Sequence, residues 1–232
     1  MHILVVGSCG KKKLKQTLKS PTCADLDSLD KIKKWKLKPG FRVRELYTGN
    51  QNRELVKGVN LLRQIPDVEV GFYIISAGFG LVDENETLPS YDCTFSGMRK
   101  KEIKDRAELL GIPSDFKNIL TSDFDLVYLA LGTDYFLTLG EDWLTSSTCS
   151  IIGFHRGFSG ENMLCIPSAH EIVSSFSQNG YKIHGVTGFK GDLLRILASY
   201  VLETNNPREE LSRLTRQQYL RNLVMNLSGI EF

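Results

Sequence analysis

Two short motifs in this chain join glycine, small polar residues and ionisable side chains, each directly after an apolar run. One is Gly7-Ser8-Cys9-Gly10-Lys11-Lys12-Lys13, which follows His2-Ile3-Leu4-Val5-Val6. The other is Ser76-Ala77-Gly78-Phe79-Gly80-Leu81, which follows Gly71-Phe72-Tyr73-Ile74-Ile75 and runs on to Leu88-Pro89-Ser90-Tyr91-Asp92. The first has the small residues of a tight turn, whose backbone N–H groups can cradle a phosphate, and lysines to hold an anion. It is not a GxxxxGK[ST] loop, so ATP hydrolysis is not expected. Cys9 has two readings, nucleophile and buried structural thiol, and no local signature supports the first. In the second motif, Gly78 and Gly80 mark places where the backbone needs positive φ or a close approach to a ligand. Glycosidic chemistry requires a carboxylate to stabilise an oxocarbenium-like sugar or to orient water. Asp92 is the leading candidate, because it follows an aromatic beyond a motif-rich strand end. The competing reading is an exposed loop aspartate.

Four further segments carry candidates. Glu45-Leu46-Tyr47-Thr48-Gly49 precedes a helical pattern and places Tyr47 either in a pocket or in the core with its hydroxyl satisfied. Leu131-Gly132-Thr133-Asp134-Tyr135 ends an apolar run, and Asp134 is either a second site carboxylate or a helix cap. In Ile166-Pro167-Ser168-Ala169-His170-Glu171, Ser168 and Glu171 have the spacing of a capping box. That leaves His170 as a donor to a developing anion. Gly153-Phe154-His155-Arg156-Gly157-Phe158 offers Arg156 to a phosphate and its aromatics to a base or to packing. The four histidines show no HxH or HExxH spacing, and the HxE…PCxxC pattern of zinc deaminases is missing, so no metal or cofactor is expected.

The elements that must position these residues are legible as alternating patterns. Short apolar runs predict buried strands at 2–7, 70–76, 125–131, 149–153 and 162–167. Helical patterns span Asn50 to Gln64, Ser96 to Leu110 with Gly111 as C-cap, Ser168 to Gln178, and Thr187 to Glu203. Asn206, Pro207 and Glu209-Glu210 predict the start of a last helix that runs to about Leu227. Residues 14–45 show no strong periodicity and read as a basic insertion, an extended loop or short helix. Together these predict one α/β domain over 1–232, a three-layer sandwich around a mostly parallel sheet. Ligands of such sheets bind outside the carboxyl ends of the strands, so the motifs predict one shared pocket.

Composition narrows the function. The 232 residues are 41% hydrophobic, ordinary for a globular domain. No apolar run approaches the roughly 20 residues that span a membrane, and the N-terminus reads as a strand rather than a signal, so a cytoplasmic protein without a membrane partner is expected. Five cysteines, odd in number and without a CxxC pair, argue against a disulfide framework and a structural zinc site. The net charge of +2 hides an asymmetry. Residues 1–63 hold 15 Lys/Arg against 5 Asp/Glu, and the remainder holds 14 against 22. A basic lobe with Trp35 and Phe41 interleaved points to a polyanion partner, the alternative being a solvated face.

In order along the chain, SCGKKK, ELYTG, SAGFGL and PSYD resemble a group of small bacterial and phage proteins with the pattern SCxKxK, A/ExxLYxG, SAxxGL and YD. The match covers about residues 3–92, with a weaker LxGxxY correspondence at 131–135. That group is similar to the uracil-DNA-glycosylase-like superfold and to modules associated with tRNA-guanine transglycosylases. It includes phage-defence DNA glycosylases acting on modified, for example glucosylated hydroxymethylated, cytosine. It also looks distantly like the peroxide-stress DNA-binding proteins of bacteria. The resemblance implies a glycosylase-like fold, duplex DNA with modified bases as partner, and a pocket for an extruded base. Asp92, Asp134 and His170 are then expected to serve the reaction. Ser8, Cys9, Tyr47, Ser76, Phe79, Tyr91 and Tyr135 would receive the base. Lys11, Lys12, Lys13, Lys34, Arg44 and Arg156 would hold phosphates. The GQDPY and HPSPLS strings of true uracil-DNA glycosylases are absent, which speaks against uracil. The alternatives are a non-catalytic nucleic-acid-binding protein and an RNA base-exchange or nucleoside enzyme.

Overall fold

The structure, a computed structural model, describes residues 1–15, 19–140, 143, 149–155 and 162–231. The first strand, β1 (His2–Ser8), lies in the middle of the sheet, and its five central residues are buried. Its near-continuous apolar run is what a parallel strand covered on both faces requires. A helical excursion follows: α1 (Leu29–Lys36), the two-residue strand β2 (Phe41–Arg42), α2 (Val43–Leu46) and α3 (Asn50–Leu62). The chain returns through β3 (Glu69–Ser76), parallel to β1 with Val5 opposite Phe72. It then reverses at once into β4 (Gly80–Asp83), antiparallel to β3. Gly80 has φ +87°, the left-handed conformation that this tight reversal needs and that glycine adopts without strain. A Cβ on Gly78 would sit 2.9 Å from the Tyr91 ring. The close approach expected there is therefore to a protein side chain.

After β5 (Thr87–Leu88), which pairs with β2, come α4 (Lys100–Leu109) and α5 (Ile112–Ile119). Then β6 (Leu126–Ala130), wholly buried, pairs with the other side of β1. The chain continues through α6 (Thr133–Phe136), β7 (Ser150–Gly153), β8 (Met163–Cys165), α7 (His170–Gln178) and α8 (Gly185–Leu202). It ends in α9 (Pro207–Arg213) and α10 (Gln217–Ser228). The main sheet has the order β4-β3-β1-β6-β7-β8, parallel except at the β4 edge. The protein is thus α/β, with a six-stranded, mostly parallel sheet flanked by helices, an arrangement compatible with three layers. No helix among the described residues is long and apolar enough to cross a membrane.

Five parallel strands fall where periodicity places them; four local expectations do not hold. The helix expected from Ser96 starts at Lys100, where the Glu102 carboxylate accepts from the Arg99 backbone N–H (2.8 Å) and from its Nε (2.9 Å). Ser168 does not cap α7: Ala169 is its N-cap, and no side-chain cap bond forms. The single C-terminal helix is two. Asn206 caps α9 through Glu209 N–H as expected, but the helix stops at Leu214. The reason is packing: α9 lies on α8 and buries Leu211 and Leu214, whereas α10 lies on α7 and β8 and buries Leu220, Leu223 and Val224. One straight helix cannot serve both surfaces. Finally, Cys23 and Cys93 form a disulfide across 70 residues. Their spacing carried no signal because the pairing is tertiary. It ties the described part of the 14–45 insertion to the segment after Tyr91.

Candidate functional site

A cavity of about 640 Å³ opens at the carboxyl ends of β1 and β6. The chain places β3 on one side of β1 and β6, β7 and β8 on the other, so the winding direction reverses between β1 and β6. The crevice at such a reversal is where open parallel sheets bind ligands, and this volume is that of a small-molecule pocket. The loop after β1 lines it from Ser8 to Lys12. Thr48 to Gln51 and Arg53 line it from the start of α3, Gly132 and Tyr135 from the end of β6 and α6. Thr94 and Ser96 contribute from the segment after the disulfide, and His184, Thr187, Gly188 and Lys190 from the start of α8.

The two long helices meet at the cavity because glycine lets them. A Cβ on Gly191 would lie 2.3 Å from the Gln51 carbonyl oxygen and 3.0 Å from its carbon, both backbone atoms of α3. Only a bare backbone admits this crossing. It brings the N-termini of α3 and α8 to one opening, each with unsatisfied N–H groups and a partial positive charge. Gln51 Nε2 donates to Ser8 Oγ (3.1 Å) and to the Ala130 carbonyl (3.0 Å), tying α3 to the ends of both strands.

The lining is electrostatically one-sided. Among the described residues it carries Lys11, Lys12, Arg53 and Lys190 and no carboxylate. Burial pushes the Lys190 ammonium below the usual lysine range. His184 is held from behind: Asp192, fully buried, accepts from its backbone N–H at 2.8 Å and lies 2.7 Å from its Nδ1. With Nδ1 engaged, the ring's chemistry falls to Nε2, the arrangement by which a buried aspartate orients a catalytic imidazole. Glu54, His184 and Asp192 could together present ligand atoms to a cation. However, Glu54 already pairs with Lys57 at 2.6 Å and Arg195 at 2.5 Å, and Asp192 is taken up by His184. The three are filled as an ion network.

The sequence candidates divide into those inside and those outside this cavity. Ser8, Cys9, Lys11, Lys12 and Tyr135 line it. Cys9 is buried, with Sγ 3.0 Å from the Tyr135 hydroxyl. That hydroxyl donates its one proton to the Cys9 carbonyl (2.9 Å), so the Cys9 thiol and the Thr94 hydroxyl donate to the phenolic oxygen. Tyr47, Ser76, Phe79 and Tyr91 form a separate buried cluster that does not line the cavity. Tyr47 and Tyr91 share a hydrogen bond of 2.9 Å, Ser76 Oγ donates to Tyr91 (2.7 Å), and Phe79 meets Tyr91 edge-on. Burial holds both phenols far above the usual tyrosine range. Lys13 lies over the Tyr91 ring, 4.1 Å from its centroid, with its ammonium lowered by burial.

Asp92 is exposed, its N–H bound to the Pro21 carbonyl, and it does not line the cavity. Asp134 sits half-buried in the first turn of α6, between the lining residues Gly132 and Tyr135. His170 is exposed on α7 beside Ser174 (3.1 Å). Arg44 is held by buried Glu84 at 3.1 Å and donates to Asn60, and Lys34 lines a separate surface hollow beside Trp35. Arg156 and Phe158 lie outside the described residues.

The cavity residues that sequence reasoning missed are Gln51, Arg53, Thr94, His184 and Lys190, with Asp192 behind them. One signal was readable: His184 and Asp192 are two helical turns apart, and Gly185, Gly188 and Gly191 recur between them at a spacing that keeps one face bare. No family model, curated protein or solved structure matches the chain. The family resemblance therefore rests on its motifs, and the function must be argued from this cavity.

Proposed function

We propose that this protein binds a nucleotide unit of nucleic acid in the β1/β6 cavity and cleaves its N-glycosidic bond. The observation that carries the reading is a strand-end cavity lined by lysines and an arginine, into which a buried aspartate holds a histidine. Lys11, Lys12, Arg53 and the starts of α3 and α8 suit phosphates flanking the target nucleotide. His184 Nε2 donates a proton to the departing base, and Asp192 stabilises the imidazole in the orientation this needs. An oxocarbenium-like sugar among bare lysines would be disfavoured. The substrate's own phosphates neutralise those lysines once bound, and of the two candidate carboxylates Asp134 is the nearer in chain position to the lining. The resemblance directs the choice of substrate to modified cytosine in phage DNA, and so to antiviral defence.

One observation favours a second reading, binding of a phosphorylated ligand without cleavage: the described lining contains no carboxylate to serve a sugar cation. Incubation with unmodified and heavily modified phage DNA separates the two. Mass spectrometry of released bases and an abasic-site assay are the readouts. Cleavage predicts release of one base with matching abasic sites, and its loss in His184→Gln with DNA binding retained. Salt-sensitive binding with no base released from either DNA establishes the second reading.

A further inference from the structure

One cavity residue is left without a task by the reading above. Lys190 is 8% exposed, lines the cavity, and among the described residues has neither an ion pair nor a hydrogen bond from its ammonium. Its ammonium lies over the Phe154 ring, 5.7 Å from Nζ to centroid. Lysines whose side chains are buried this deeply are normally paired; here the stem is buried and the ammonium opens into the cavity. An aliphatic or an arginine would serve packing or phosphate binding better. What an unpaired, desolvated lysine does well is act as a neutral amine nucleophile toward a carbonyl. The lowering of its ammonium by burial agrees with that use.

We infer that Lys190 forms a Schiff base with an aldehyde-bearing, phosphorylated sugar, giving the protein a lyase activity on abasic sites; this rests on the proposed N-glycosidic reading for the origin of such sites. The surroundings supply the rest of the chemistry. His184, Thr187 and Lys190 recur at three-residue spacing on one face of the start of α8, so amine and imidazole share the cavity. The amine lone pair attacks C1′ of the ring-opened deoxyribose to give a carbinolamine. Protonation of its hydroxyl, with His184 as acid, expels water and leaves a protonated imine. His184, neutral after that transfer, takes a C2′ proton; the electron pair moves into a C2′=C3′ double bond, and the C3′–O bond breaks with loss of the 3′ phosphate. Lys11, Lys12 and Arg53 favour that departure by holding the anion. Water then hydrolyses the imine, returning Lys190 and an unsaturated aldehyde. No oxidant or reductant is consumed.

The test supplies the abasic site ready-made, so that it does not depend on base release by this protein. The full chain is incubated with an abasic oligonucleotide and sodium borohydride, which reduces the imine to a stable secondary amine. The crosslinked peptide is then mapped by mass spectrometry. A covalent adduct on Lys190, lost in both Lys190→Met and Lys190→Arg, is the expected result. Because the adduct is mapped on the wild-type chain, a variant that fails to fold does not affect the outcome. No adduct, or an adduct on Lys11 or Lys12 instead, overturns the assignment. Trapping at Lys190 without base release from modified DNA would remove the glycosylase reading and leave the lyase. Base release without trapping would do the opposite.

Discussion

Replacing Gly191 by alanine tests whether the α3–α8 crossing builds the cavity. The added methyl would lie 2.3 Å from the Gln51 carbonyl oxygen and 3.0 Å from its carbon, both backbone atoms. Ordinary contact begins near 3.4 Å, so the helices must separate by about 1.1 Å at this level. Overpacking of this kind costs about 1–3 kcal/mol. The backbone clash places it near the top of that range, and the helix preference of alanine over glycine returns about 1 kcal/mol. The net loss is about 2 kcal/mol, which for a chain of this size lowers Tm by roughly 4–8 °C. The effect on the site is larger. Residues 49–53 and 184–190 stand on opposite sides of the widened crossing, and a shift of about 1 Å in an aligned site costs on the order of 100-fold in activity. Thermal melting, oligonucleotide affinity and base release are measured together. Gly58→Ala is the control: it strains the same helix pair against Leu194 and Arg195, two turns from the cavity. It should lower stability with a much smaller effect on the site. Wild-type binding and turnover in a stably folded Gly191→Ala protein would refute the claim that this crossing sets the geometry.

Two further outcomes follow from buried groups. Glu84, 1% exposed at its side chain, is gripped by Arg63 at 2.5 Å and Arg44 at 3.1 Å. Glu84→Gln leaves two guanidinium groups facing a neutral amide and should cost about 3 kcal/mol in a urea titration, the low end for a broken buried pair because both arginines are partly exposed. Cys93→Ser opens the 70-residue loop closed by Cys23–Cys93 and should cost about 4 kcal/mol by chain entropy. Thiol titration of the denatured, unreduced wild-type chain should find three free cysteines, Cys9, Cys149 and Cys165; five would show that the disulfide does not form.

Strand identity was fixed by local sequence. Runs such as Ile3-Leu4-Val5-Val6 and Leu126-Val127-Tyr128-Leu129 can be satisfied only where both faces are covered, and β1 and β6 are therefore central. Motifs that follow such strands must lie at the sheet's carboxyl edge, so Ser8, Cys9, Lys11, Lys12 and Tyr135 could be assigned to one pocket from the sequence. The same reasoning fails once a residue's surroundings come from a distant segment. Tyr47, Ser76 and Tyr91 are the same kinds of residue as a base-stacking set, yet they bond to one another in the interior. Nothing local to any of them announces that pairing. The partners in the Cys23–Cys93 bond, the break between α9 and α10, and the placement of His184, Asp192 and Lys190 beside β1 all arise from elements far apart in the chain. Periodicity reports which face of an element is buried, and it is silent on what that face meets. Which residues converge on the cavity was decided by the crossing of α3 and α8, a direct contact between segments about 140 residues apart in the chain, which no local pattern encodes.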